Sequence, residues 1–387
     1  MILNYSNGYY DGEVDFSGKE HGYGRFVWTD GDTYVGGWSH GVRHGRGKYT
    51  YADGSSYDGE YYNGKMHGRG RYTYEDGTYY EGDMRDGDFH GFGTRRYKNG
   101  IYNGEFRHDK RNGRGKYVAD EGWSYEGEWL DDKYHGRGKY TYIDGGYYEG
   151  DFVYDLYEGR GTRRYNNGTY VGMWSGDKRN GEGEYRADEG WSYKGTYKDD
   201  KMHGFGRYTF ADGTWYEGEL VDGFFSGRGT QRYESATYVG QFKDDKMHGK
   251  GKYTFDSGAY YEGDMFEGDF HGYGKYVYTD GAHYEGYFVH DKREGEGSMT
   301  YNDDFVYVGT FKDGDRCGKG TLTAPNGEKY VGMWADDVPS GHGINRLPNG
   351  DTYEGDWSGF GNAENVVYVS GGRRRVGRIV DEEFIER

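Results

Sequence analysis

Eight histidines recur at one place in a repeating pattern: His21, His44, His67, His90, His135, His203, His248 and His271. A row of imidazoles invites a zinc reading, in which each ligand nitrogen stands roughly 2 Å from one ion. The repeat argues against it, because equivalent residues of successive hairpins lie two strands, about 10 Å, apart. The expectation is that these histidines are loop residues hydrogen-bonded to backbone and that no metal is held. Carboxylates share a position in the same way at Glu60, Asp83, Glu105, Glu128 and Asp151. Paired acids can do general acid and base work. Here they line up opposite Arg71, Lys116 and Lys139, and cross-strand charge pairing worth about 0.2 to 1 kcal/mol each accounts for them. The acidic turns Asp30-Gly31-Asp32 and Asp86-Gly87-Asp88 lack EF-hand spacing, and the HGRGK segments lack the Gly-Lys-Ser/Thr ending and following helix of a phosphate loop. No Ser, His and Asp set stands apart from scattered surface residues. The chain is expected to have no active site and no cofactor, and not to be an enzyme.

The elements that carry these residues come from a single unit used many times. Residues 65–84 read KMHGRGRYTYEDGTYYEGDM, and close copies occupy 133–152, 201–220 and 246–265. Tyr-x-Gly recurs at Tyr10, Tyr34, Tyr57, Tyr80, Tyr102, Tyr125, Tyr148, Tyr170, Tyr193, Tyr216, Tyr238, Tyr261, Tyr284, Tyr307, Tyr330 and Tyr353, at intervals of 22 to 24 residues, which is the period of solenoids and arrays. In each unit two runs alternate with a period of two, as strands do. Tyr57, Gly59 and Tyr61 alternate with Asp58 and Glu60, and Tyr72 and Tyr74 alternate with Arg71 and Thr73. A loop ending in Gly68 separates the runs, and Asp76-Gly77 is a turn that joins antiparallel strands. Each unit is therefore a β-hairpin, and consecutive units extend one meandering antiparallel sheet. Glycine inside the strands leaves room for neighbouring tyrosine rings to cover the backbone.

Composition agrees with an unusual core. Leu, Ile, Val and Phe make up only roughly 13% of the chain, which with a net charge of −18 would ordinarily signal disorder. The 47 Tyr, 19 Phe and 9 Trp supply the apolar area instead. The charge opposes binding to nucleic acid and to anionic membranes by long-range attraction. A single cysteine, Cys317, and the lack of a leader or an apolar span point to a cytoplasmic chain.

The unit Tyr-x-Gly-(Glu/Asp)-aromatic … His-Gly-x-Gly-x-(Tyr/Phe) resembles the MORN (membrane occupation and recognition nexus) repeat, over nearly the whole chain. The resemblance implies an elongated, twisted all-β array of the kind found in cytoskeletal scaffolds, axonemal spoke heads, junctional membrane tethers and the regulatory parts of some lipid kinases and methyltransferases. The expected division is an array over 1–357 and a capping hairpin and tail over 358–387.

A longer period overlies the repeat. The intervals Tyr80 to Tyr102, Tyr148 to Tyr170 and Tyr216 to Tyr238 are each 22 residues, recur every 68, and carry GTRRYKNG, GTRRYNNG and GTQRYESA. There Arg95, Arg163 and Gln231 take an inward position held elsewhere by tyrosine, either stacked on rings or poised for an anionic ligand. The run Arg373, Arg374, Arg375 and Arg378 is the other candidate for anionic contacts, against a capping role. Candidate partner contacts are the inward residues Trp38, Tyr61, Phe106, Trp129, Phe152, Trp174, Tyr197, Phe242, Phe288, Phe311, Trp334 and Trp357, with Met84 and Met265 at the same position. One sheet covers only one side of them, so they are expected to be partly core and partly a groove for an apolar helix or extended peptide.

The reading from sequence is a non-catalytic scaffold for protein partners at a cytoskeletal, axonemal or flagellar structure, with end-to-end self-association through a terminal repeat. A phosphoinositide-binding membrane tether and a regulatory subunit of a separate enzyme are the alternatives. With about 4.8 Å per strand, the array is expected to be a rod about 150 Å long. Small-angle scattering checks this: the radius of gyration should lie well above the roughly 21 Å of a globule of this length, and a value near that figure refutes the rod.

Overall fold

The computed structural model describes residues 1–387. It contains 35 β-strands and no helix. The chain forms two compact units: Met1–Glu189 with Tyr197–Asp200, and Gly190–Thr196 with Lys201–Arg387. Within each unit, strands adjacent in sequence pair antiparallel as a meander, as in Ser56–Tyr62 with Lys65–Thr73 and Tyr260–Phe266 with Asp269–Val277. The fold is all-β, built from tandem hairpins.

One hairpin illustrates why the sequence folds so. Strands Ser56–Tyr62 and Lys65–Thr73 pair from Tyr62↔Lys65 to Ser56↔Thr73. They are joined by Asn63 and Gly64 alone, at φ 48° and 80°, the doubly left-handed turn whose twist matches that of the strands. The segment KMHG, expected as a loop, is therefore strand. What looked like a loop is a bulge opposite Gly59 and Glu60, where Gly68 takes φ 59° and lets pairing continue on both sides. Beyond Thr73 the chain turns through Asp76-Gly77. The Thr78 N–H and Oγ1 donate to Asp76 Oδ1 at 3.0 and 2.7 Å.

The core is a layer of tyrosines laid on glycine. Tyr57 is fully buried, and its ring covers Gly59 and Gly70, which face each other across the pair. A Cβ at Gly59 would stand 2.4 Å from the Tyr57 hydroxyl oxygen, and one at Gly70 2.3 Å from it. The hydroxyl donates to the Glu60 carbonyl at 3.0 Å, with the His67 carbonyl at 3.4 Å. A buried phenol that would otherwise be costly is thus satisfied by the strand it covers.

Each such ring meets two others edge-on. Tyr57 and Tyr34 both approach Tyr61, at 5.2 and 5.1 Å between centroids and 82° between planes. Trp129 sits the same way between Tyr102 and Tyr125, and in the second unit Trp334 sits between Tyr307 and Tyr330. Edge-to-face pairs contribute about 0.5–1.5 kcal/mol beyond their burial.

The polar face carries ion pairs between hairpins. Arg71 meets Glu81 at 2.9 Å, Lys116 meets Glu126 at 2.9 Å and Lys139 meets Glu149 at 3.3 Å. These partners are not the acids expected from sequence. Glu60, Glu105 and Glu128 instead accept backbone N–H groups beside the bulge, as Glu105 does from Arg114 at 2.9 Å. Gln241 does the same for Lys250 at 2.9 Å, so a neutral acceptor serves there as well as a charged one.

The 68-residue period has a structural basis. Where the interval is 22 residues, the hairpin turn is tight and the second arginine of the motif reaches the next hairpin. Arg96 grips Asp120 through two bonds of 2.8 and 2.7 Å, Arg164 grips Asp188 at 2.8 and 2.8 Å, and Arg232 grips Asp256 at 2.6 and 2.7 Å. Near the C-terminus, Ala363–Ser370 and Arg373–Val380 form a hairpin, followed by the strand Glu383–Glu386.

Two outcomes follow from the tyrosine layer. Gly70→Ala should destabilise the fold by about 1–3 kcal/mol through overpacking, and clearly less in a Tyr57→Ala background, where the ring it strikes is gone; urea midpoints measure both. Burial pushes the Tyr34, Tyr170, Tyr238 and Tyr284 phenols up to about 12, whereas an unfolded chain ionises near 10. The folded state then holds more protons between these values, so stability is intact below pH ~10 and falls as pH rises towards 12. Circular dichroism and tyrosinate absorbance should change together in one steep alkaline transition.

Candidate functional site

The structure places the twelve expected groove residues inside the core. Trp38 and Trp357 are 8% and 7% exposed, Phe152 and Phe311 1%, and Tyr61, Phe106, Trp129, Trp174, Tyr197, Phe242, Phe288 and Trp334 between 3% and 4%. Met84 and Met265 are equally buried. This corrects the expected groove: these rings pack edge-on against tyrosines of the core layer, as Trp129 does on Tyr102 and Tyr125 and Trp357 on Tyr330, and so belong to the core. The half-buried aromatic surface belongs to a different row, the last tyrosines of the second strand and its turn, such as Tyr72, Tyr74 and Tyr97.

Cations are built into this row. Arg95 lies over the Tyr74 ring at 3.9 Å, with Phe89 and Tyr97 at 5.4 and 5.3 Å. Arg163 lies over Tyr142 at 3.5 Å and Tyr165 at 5.1 Å. In both arginines Nη1 is buried without a hydrogen-bond partner. Stacking satisfies the flat faces of a guanidinium but not its edge donors. Gln231, their counterpart, instead accepts the Tyr233 hydroxyl at 2.9 Å.

A second set of arginines carries no signal that sequence reading used, although two of them lie in the repeated run DKRNG at 109–113 and 177–181. Arg111 lies 4.1 Å from the Trp129 ring, donates from Nε to Asp132 Oδ1 at 2.9 Å and from Nη2 to the Asp132 carbonyl at 3.0 Å. Arg179 and Arg316 repeat the arrangement with Asp200 and Asp337. Their signal is an arginine after the hairpin turn, where other repeats carry the rings of Phe89, Tyr134 or Tyr157 stacked on the core tyrosine.

These groups surround a cavity of about 540 Å³ in the first unit, lined by Met66, Tyr72, Tyr74, Phe89, Arg95, Tyr97, Phe106, Asp109, Arg111 and Asp132. Asp109 and Asp132 are engaged, accepting from the Phe89 and Arg111 N–H groups at 2.7 and 3.0 Å. Arg95 is therefore the cation with a donor to spare, in a wall of aromatic rings. A larger cleft, about 690 Å³, opens on the polar face of the second unit beside Phe205, Trp215 and Val239. Glu217, which lines it, is joined to Arg207 at 3.0 Å.

The repeated histidines sit on strands at the bulge rather than in loops, and Nδ1 of His21, His67, His135 and His271 is buried without a partner. It is their carbonyls that serve the fold, facing the core tyrosine hydroxyls as His67 faces Tyr57. In the C-terminal hairpin Arg373, Arg374, Arg375 and Arg378 are exposed. Arg375 lies over Tyr368 at 4.7 Å and 3.7 Å from Glu386.

The structure contains no helix long and apolar enough to cross a membrane. Solved structures similar to this chain include the SAS-4 (dCPAP) TCP domain of Drosophila melanogaster with a proline-rich motif of Ana2, at 13% identity over 39% of this chain and 83% of that one, TM-score 0.26. The TCP10 domain of Danio rerio CPAP with a STIL peptide matches at 13% identity over 64% and 91%, TM-score 0.17. Virginiamycin B lyase from Staphylococcus aureus matches at 11% over 68% and 82%, TM-score 0.12. At these scores none bears on what this chain binds. Among curated protein sequences, none matches it. The MORN repeat model matches fifteen consecutive stretches, from 10–33 through 57–79, 170–191 and 261–283 to 330–352. With its Tyr-on-glycine hairpins and these matches along nearly its whole length, the chain belongs to the MORN-repeat family.

Proposed function

We propose that this chain is a non-catalytic scaffold that holds protein partners on the half-buried aromatic face of its repeats, at a cytoskeletal, axonemal or flagellar structure in the cytoplasm. An extended peptide or a helix lies against Tyr72, Tyr74 and Tyr97, and a carboxylate or carbonyl of the partner accepts from Arg95. Arg163 offers the same contact 68 residues on. The observation that carries the reading is the cavity of about 540 Å³ in which a buried guanidinium nitrogen has no acceptor. An unmet donor of that kind costs about 1–3 kcal/mol, more when charged, which a bound acceptor recovers. Residues 358–387 cap the array, and the strand Ile2–Tyr5, with Ile2 62% exposed, is the edge for end-to-end self-association.

A membrane reading rests on a separate observation: Arg373, Arg374 and Arg378 are exposed together in one hairpin. In that reading they contact phosphoinositide headgroups, against the repulsion of a net charge of −18.

The test compares partners recovered from source cells by the wild-type chain and by Arg95→Gln/Arg163→Gln. Recovery of a specific partner should fall at least tenfold, and equal recovery refutes the aromatic-face contact. Sedimentation with phosphoinositide vesicles provides the other arm. Binding that is lost when Arg373, Arg374 and Arg378 become glutamine would support the tether instead.

A further inference from the structure

Equivalent histidines of successive hairpins stand about 10 Å apart, but a histidine from another position of the repeat can come closer. His40 is such a residue. It sits at the hairpin turn after Ser39 with φ 50°, and this places its ring 5.0 Å from that of His21, one hairpin earlier. Asp15 completes the group. One nitrogen from each histidine and one carboxylate oxygen lie within 4.8 Å of one another.

The carboxylate is held in a fixed orientation. Asp15 Oδ1 accepts the Ser17 N–H at 2.8 Å, the Ser17 hydroxyl at 2.7 Å and the Lys19 N–H at 3.1 Å. Those three donors fix the carboxylate plane and leave Oδ2 turned to His40 Nδ1 at 2.7 Å. The Asp15 side chain is 9% exposed, whereas that of His40 is 71% exposed. His21 Nδ1 is buried without a partner. One corner of the fold thus has an anchored acid, an imidazole with an unmet nitrogen, and a second imidazole free to move.

We propose that Asp15, His21 and His40 form a binding site for a divalent transition-metal ion, zinc in the first place. Two imidazoles and one carboxylate are a donor set suited to zinc. Ligand atoms on one tetrahedral ion stand roughly 3.3 Å apart at zinc bond lengths of about 2.0–2.2 Å, so the group has to contract slightly, and the exposed His40 ring is the part that can move. Entry of the ion replaces the proton shared by Asp15 and His40. The Ser17 and Lys19 bonds then act as the outer support that such ligands require. The fourth position stays open to water or to a side chain of a partner, which makes the site a candidate clasp at the N-terminal end of the first unit.

The same corner recurs in looser form. Asp88 meets His108 at 3.0 Å with His90 and His108 rings 5.8 Å apart, and Asp269 meets His290 at 2.8 Å with His271 and His290 rings 5.8 Å apart. These corners serve as internal controls.

The experiment is titration of the chelator-treated full chain with zinc chloride by calorimetry, alongside thermal melts with and without zinc. The wild type should show one site tighter than the rest and a melting temperature raised by zinc, since a ligand bound only by the folded state stabilises it. His40→Asn, which tolerates the left-handed turn, and Asp15→Asn should each weaken that site at least tenfold, while His108→Asn and His290→Asn leave it unchanged. Unaltered tight binding in both His40→Asn and Asp15→Asn, or a wild type with no site tighter than theirs, would overturn the proposal. Circular dichroism of each variant without metal separates loss of the site from loss of the fold.

Discussion

Everything in this molecule depends on a tyrosine ring lying flat on two opposed glycines. The contact needs the absence of two Cβ atoms, because either one would stand about 2.3–2.4 Å from the phenol oxygen of Tyr57. It also needs the hydroxyl to find the strand carbonyl of Glu60. Once both conditions are met, an aromatic residue four positions later can slot edge-on between successive tyrosines, and the hairpins are joined by rings rather than by branched aliphatic side chains. A single hairpin is marginal in water, so each unit owes its stability to the neighbour whose ring it clamps.

That packing explains where function can and cannot reside. The innermost rings are consumed by the fold, so the residues that look most like a hydrophobic binding strip, such as Trp129 and Trp334, are unavailable. What remains accessible is the row that closes each second strand, and there arginine replaces tyrosine at Arg95 and Arg163. An arginine stacked between rings keeps its charge while losing the water around its edge. Nη1 is buried in both and meets no acceptor, a contrast with Arg111, whose Nε and Nη2 both donate to Asp132.

In the acidic and histidine rows, regular spacing does not fix the contacts. Regular spacing made Glu60 and its equivalents look like partners of Arg71, Lys116 and Lys139, yet Asp83 and Asp151 pair with Arg69 and Arg137 instead. Glu60, Glu105 and Glu128 cap backbone N–H groups at a bulge, and Gln241 does so without a charge. Regular spacing also made the histidines look too far apart to share an ion. That holds within the row and fails where His40, outside the row, folds back beside His21.

The sequence by itself determined the hairpin unit, its glycine and tyrosine positions and the family, because a period of two within strands and of 22 to 24 between anchors survives any detail of packing. It also marked the 68-residue period, though not its basis, since the bonds of Arg96, Arg164 and Arg232 to aspartates one hairpin on join residues 24 apart. Only the tertiary structure decided which aromatic row is buried, that KMHG is a bulged strand, and which cations and histidines keep an unmet nitrogen. The reason is physical: alternation tells which face a side chain takes, but burial depends on what neighbouring hairpins lay over it, and a left-handed φ at one glycine or one turn histidine redirects the chain by an amount that spacing alone does not record.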